Sequence, residues 1–149
     1  MKFLVAVDGS TEAGNALQYA TDIAVAAEGE ITVVHAVHPA VYDEGGSEPI
    51  TTFSDAEQRL ILENIEGAEE RGSDVLDDAL DRAEDAGVDV EAELLYGDPV
   101  GEIVDYAEVE GFDGIYVGHR GRTGRAELML GSVAKAIVER ATVPVTVVR

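Results

Sequence analysis

Two kinds of stretch alternate along the chain. Short apolar runs recur at Lys2–Val7, Ile31–Val37, Val88–Tyr96, Asp113–Val117 and Val143–Val148, and only the first half of the third alternates with polar residues. Runs that are apolar throughout fit strands of a sheet covered on both faces. Between them the apolar residues fall at helical spacing. Ala13, Ala16, Leu17, Ala20, Ile23, Ala24 and Ala27 make one such face. A second is Leu60, Ile61, Ile65, Ala68, Val75, Leu76, Ala79, Leu80 and Ala83; a third is Val100, Ile103, Val104 and Ala107. Val133, Ala134, Ala136 and Ile137 make a fourth. The order is βαβαβαβαβ.

Local signals punctuate these elements. Ser10 or Thr11 can cap the first helix, with Glu12 in its first turn and Gly29 at its end. Ser54-Asp55-Ala56-Glu57 matches a capping box, and the helix it opens runs toward Ala86, with Gly87 closing it. Gly67 and Gly72 inside it each cost ~1 kcal/mol relative to alanine, so a kink or break is expected there. Asp98 and Pro99 form a helix entry, and Gly111 ends that helix. The pattern is lost from Pro39 to Phe53, a long acidic loop.

This order predicts an α/β protein: a single doubly wound, five-stranded parallel sheet, Rossmann-like, with helices on both faces. The expected strand order is 3-2-1-4-5, and residues 1–149 are expected to make one domain. Ligands of such sheets bind beyond the carboxyl ends of strands, where the winding reverses. That point falls between Asp8-Gly9-Ser10 and Gly118-His119-Arg120-Gly121.

The second turn carries the chemistry. An apolar strand (Ile115, Tyr116, Val117) stops at Gly118, Gly121 and Gly124 follow, and a helix opens at Gly131-Ser132. Glycines let a backbone come close to a bound group, and helix N-termini attract anions. Arg120, Arg122 and Arg125 cluster here, three of eight arginines in a chain of net charge -21. The loop lacks the lysine of a P-loop and the tight G-x-G-x-x-G of a dinucleotide fold. A mobile surface loop is the plain alternative for the spaced glycines alone.

The spacing Gly118-x2-Gly121-x9-Gly131-Ser132 resembles the nucleotide-binding signature of the universal stress protein family. The resemblance extends to Asp8, the histidine-bearing second strand, Gly97-x-Pro99 and the closing Pro144-Val145-Thr146-Val147-Val148. It implies an ATP-binding protein that senses or signals nucleotide status. ATP, with Mg2+ as its companion, would lie on Gly118, Gly121, Gly131 and Ser132, beside Asp8, with adenine on the main chain at Ala36. Gly9, Ser10, Val37, His119, Arg120, Arg122 and Val133 flank these positions. A side chain at Gly118 or Gly121 is expected to clash with the ligand or force the backbone off its conformation. Ser132 is equally an N-cap, and Asp8 equally a cap of the first helix. His119 and Gly124 depart from the family's usual serine and apolar residue. The resemblance also implies a homodimer through the last strand, an unpaired edge formed by Val145, Val147 and Val148.

Charge and composition exclude other classes. There are 31 acids against 10 bases, spread over helix faces and loops, which fits adaptation to a salty cytoplasm better than a partner site. No basic stripe suits DNA or RNA. No run is long and apolar enough for a membrane span, no signal peptide is visible, and cysteine is absent, so a cytoplasmic location is expected. His35 lies within the second strand and His38 just beyond it; alternate faces of a strand would not aim both at one metal, so they are read as structural or pocket-lining. No serine–histidine–acid set is visible, so catalysis beyond weak ATP hydrolysis is not expected. The rival classes are an enzyme of a related adenine-nucleotide fold and a dimerising stress protein without nucleotide.

Overall fold

A computed structural model describes residues 1–37, 55–120 and 130–149, with 55–64 described as backbone only. The elements are β1 (Lys2–Ala6), α1 (Thr11–Ala27), β2 (Glu30–Val37), α2 (Asp55–Asp85), β3 (Val90–Tyr96), α3 (Pro99–Val109), β4 (Gly114–Gly118), α4 (Ser132–Arg140) and β5 (Val145–Val148). All five strands are parallel, in the order β3-β2-β1-β4-β5 that the sequence predicts.

The period-2 geometry of a strand splits the core in two. Phe3 and Val5 of β1, Ile31 and Val33 of β2 and Tyr116 of β4 face α1 and α2, meeting Leu17, Ala20, Leu76 and Ala83. Leu4, Val34, Ile115 and Val117 point the other way, onto Val100, Ile103 and Val104 of α3 and Ala134 and Ile137 of α4. Neighbouring positions are thus buried on opposite faces, which is why the strands read as continuous apolar runs.

Three local expectations are corrected. The helix α2 runs unbroken through Gly67 and Gly72. A Cβ on Gly72 would stand 2.8 Å from His35 Cδ2 and 2.9 Å from Leu94 Cδ1, so this glycine admits the sheet's side chains. At the end of α1 the left-handed residue is Glu28 (φ 51°), not Gly29. Gly29 is needed for a close approach, since a Cβ there would lie 3.0 Å from the Met1 carbonyl oxygen. The first strand ends at Ala6, one residue short of expectation, and the third and fifth begin two residues late. Asp98 caps α3 as expected, accepting from Gly101 N–H at 3.0 Å. The expected capping serine Ser54, the 39–53 loop and His38 lie outside the described residues.

Candidate functional site

Strands β1 and β4 are neighbours whose following helices go to opposite faces, so a crevice opens beyond their carboxyl ends. On the β1 side a tight turn leads into α1. Asp8 Oδ1 accepts from Ser10 N–H at 2.9 Å, and Ser10 Oγ accepts from Ala13 N–H at 3.1 Å as the N-cap. Gly9 makes the turn at φ +82°. His35 Nδ1 lies 2.8 Å from the Val7 carbonyl oxygen, which can only accept, so Nδ1 carries the hydrogen. The imidazole therefore braces the end of β1.

On the β4 side the main chain is clamped. His119 N–H donates to the Val148 carbonyl at 2.6 Å, and the His119 carbonyl accepts from Gly131 N–H at 2.8 Å. The second bond brings the start of α4 to the end of β4. Gly131 is the N-cap (φ -62°, ψ 153°) and makes no side-chain capping bond. Ser132 is the first helical residue, exposed, so the expectation that it caps α4 is corrected. No acid stands in the first turn of α4.

Two helix N-termini thus flank one crevice in opposite electrostatic states. That of α1 is satisfied by Ser10 Oγ and by Glu12 in its first turn. That of α4 has a glycine cap and no first-turn acid, and no side chain among the described residues is seen to cap its first-turn N–H groups, with the dipole's positive end alongside.

Gly118 and Arg120 join the two sides. Gly118 is buried, and a Cβ there would stand 2.8 Å from the Ala13 nitrogen and 2.8 Å from the Glu12 carbonyl carbon. Its missing side chain lets β4 reach the first turn of α1, so the first clash of any substitution is within the protein. Arg120 Nη2 pairs with Glu12 Oε1 at 3.3 Å, the two side chains being 21% and 23% exposed. Arg120 Nε is buried without a hydrogen-bond partner among the described residues. A buried donor left unmet costs about 1–3 kcal/mol.

On β2 the ladder decides which main-chain groups face the crevice. Val34 O accepts from Val7 N–H on the β1 side, and Val37 O accepts from Gly97 N–H on the β3 side. Alternation therefore turns the N–H and C=O of Ala36 toward the β1 side, where the chain has already left the sheet at Asp8. Val37 is buried, and its carbonyl is engaged by Gly97.

Of the residues predicted for the site, Asp8, Gly9, Ser10, Gly118, His119, Arg120, Gly131 and Ser132 converge on the crevice. Val133 follows, exposed, in the first turn of α4. Gly121, Arg122, Gly124 and Arg125 lie outside the described residues. Glu12 was expected only as a first-turn acid. Its pairing with Arg120 depends on the Gly118 contact, which no local pattern reveals. Among the described residues no group of three His, Asp or Glu side chains could hold a metal. Nor is any helix among them long and apolar enough to cross a membrane.

The parallel sheet and its switch point define an open doubly wound α/β protein with a crevice beyond the carboxyl ends of β1 and β4. The universal stress protein family model matches residues 1–149, and the chain belongs to that family. It is 32% identical to the universal stress protein YxiE of Bacillus subtilis over 148 residues, covering 99% of this chain and 98% of that protein. Among solved structures it is similar to MJ0577 of Methanocaldococcus jannaschii, with a TM-score of 0.83 and 26% identity over 99% of this chain and 94% of that one. A universal stress protein solved in complex with cAMP is 26% identical with a TM-score of 0.66, covering 100% of this chain and 96% of that one.

Proposed function

We propose that this protein binds an adenine nucleotide, ATP in particular, and acts as a nucleotide-dependent sensor or regulator in a stress response. The observation that carries the reading is the N-terminus of α4. It has a glycine cap and no first-turn acid, and a main-chain bond to His119 holds it at the switch point. Phosphate oxygens would accept from the main-chain N–H groups at Ser132 and Val133. Arg120 stands at the same crevice, with its Nε unmet among the described residues. Adenine would read the N–H and C=O of Ala36. The second oxygen of Asp8, which the bond to Ser10 leaves aside, suits a ribose hydroxyl or a phosphate-bound Mg2+. These groups would meet the phosphates, ribose and base of a nucleotide, and their chemistry is binding and charge neutralisation.

ATP is favoured over a monophosphate by the signature spacing from Gly118 to Ser132 together with the arginines Arg120, Arg122 and Arg125. A cyclic or linear monophosphate is the second reading, supported by the solved relative in complex with cAMP. Calorimetric titration with ATP, AMP, cAMP and adenosine separates the two, with mass spectrometry of small molecules released from fresh protein. ATP binding tighter than AMP and cAMP is the expected result. No affinity for any of the four overturns the reading.

A further inference from the structure

We propose that Glu12 is a built-in stand-in for the ligand's phosphate: it holds Arg120 while the crevice is empty and is displaced from it when a nucleotide phosphate arrives. The inference rests on the nucleotide reading above and concerns how that site is regulated.

Three observations carry it. Glu12 contacts the guanidinium at one atom only, Nη2, at 3.3 Å. Charge-assisted pairs of this kind are strongest at about 2.7–2.9 Å and when two parallel bonds form. Nε shares an edge of the guanidinium with Nη2, and it has no partner among the described residues. Glu12 thus occupies half of the edge that a phosphate grips with two oxygens.

Neither partner is held by a second ion pair among the described residues that would make release costly. Glu12 is nonetheless kept in place, because Gly118 packs its bare Cα against the Glu12 main chain and Cβ. Arg120 follows directly on His119, whose N–H and C=O are both engaged. The backbones are fixed and the side-chain contact is loose, which is the arrangement a replaceable counter-anion needs. Glu12 also places a negative charge beside the crevice that an incoming polyphosphate must approach, within a Debye length of ~8 Å in physiological salt.

The sign of the effect follows. Removing the resident anion frees Arg120 and lowers repulsion, so Glu12→Gln should bind ATP more tightly than wild type. The gain should be roughly fivefold, the scale of a partly exposed ion pair. Adenosine, which has no phosphate, should bind Glu12→Gln and wild type alike. In an Arg120→Gln background the additional Glu12→Gln change should lose most of its effect.

The experiment is titration of wild type, both single variants and the double variant with ATP and with adenosine, with a melting curve for each to verify folding. Unchanged or weakened ATP binding by folded Glu12→Gln overturns the stand-in role while the nucleotide reading stands. An equal gain for adenosine overturns it also, since the effect would not act through phosphate. Wild type that binds neither ligand overturns both readings together.

Discussion

Gly118 lies so close to the first turn of α1 that a methyl group on it would stand 2.8 Å from the nitrogen of Ala13. Backbone, not a flexible side chain, is what it would strike, so neither β4 nor α1 can yield cheaply. Forced overpacking of this kind costs about 1–3 kcal/mol. Gly118→Ala should therefore lower the melting temperature by roughly 3–10 °C in a domain of this size, with no ligand present. Gly114, on the same strand, is the control. The nearest atom to its Cβ is the Pro144 carbonyl oxygen at 3.7 Å, so Gly114→Ala should melt close to wild type. Equal melting temperatures for the two variants would remove the packing role assigned to Gly118.

That contact also marks where the sequence stops being legible. A parallel sheet followed from alternation of apolar runs with helical faces, and βαβ handedness left few arrangements, among which the family resemblance supported the order 3-2-1-4-5. The two turns of the crevice were legible because both follow strand ends. Contacts across the crevice were not. Glu12 and Arg120 are 108 residues apart, and their pairing depends on the depth to which Gly118 lets two elements approach. Gly72 misled in the same way. Its local meaning is a weakened helix, but its tertiary meaning is room for His35 and Leu94.

The two edges of the sheet differ in how they meet solvent. On β3, Glu91 and Glu93 are exposed and set like charges against a second copy. Strand β5 carries only Val145, Thr146, Val147 and Val148. Ile115 N–H donates to Pro144 O and His119 N–H to Val148 O, so alternation leaves the N–H and C=O of Val145 and Val147 facing outward. We expect a homodimer through these two residues. Val147→Pro deletes one outward donor and leaves the ladder to β4 intact. Light scattering in high salt should give twice the chain mass for wild type and a folded monomer for the variant. A monomeric wild type, or a variant that stays dimeric, rules this pairing out.

Alkaline pH should weaken the fold through Tyr116. Burial, and then the neighbouring Tyr19, raise its pKa above the ordinary 10.0, while a hydrogen bond with Thr146 pulls the other way. In the unfolded chain the phenol ionises near its ordinary value. Between that value and the folded one, the unfolded state holds fewer protons. Stability is therefore fully present below the unfolded pKa and is lost as pH rises through the folded one. Tyr106 adds to the trend, raised by burial and then by Glu93, Glu110 and Glu91. Melting temperatures measured from pH ~8 to ~11 should fall at the alkaline end. Tyr116→Phe should show a shallower fall, even if its neutral-pH stability drops for want of the Thr146 bond. An unchanged slope would mean that the alkaline loss arises elsewhere.

Asp8 has two oxygens, and one of them is used in the fold. Oδ1 accepts from Ser10 N–H at 2.9 Å and shapes the turn into α1. The other oxygen is the one that can meet a nucleotide, so a structural role and a ligand role are compatible in one side chain. An asparagine keeps the carbonyl oxygen and can still accept from Ser10, while it replaces the second acceptor by a donor and removes the charge. Asp8→Asn should therefore melt within ~1 kcal/mol of wild type, the scale of one net hydrogen bond at most. Its ATP affinity should fall by about tenfold if the carboxylate takes a ribose hydroxyl or a phosphate-bound Mg2+. Asp8→Ala loses both oxygens and should lose stability and affinity together. Titration with and without Mg2+ tells the two ligand roles apart. Only the Mg2+ role makes the deficit of Asp8→Asn disappear when the metal is withheld from both proteins. If Asp8→Asn melts and binds like wild type, Asp8 serves the turn alone.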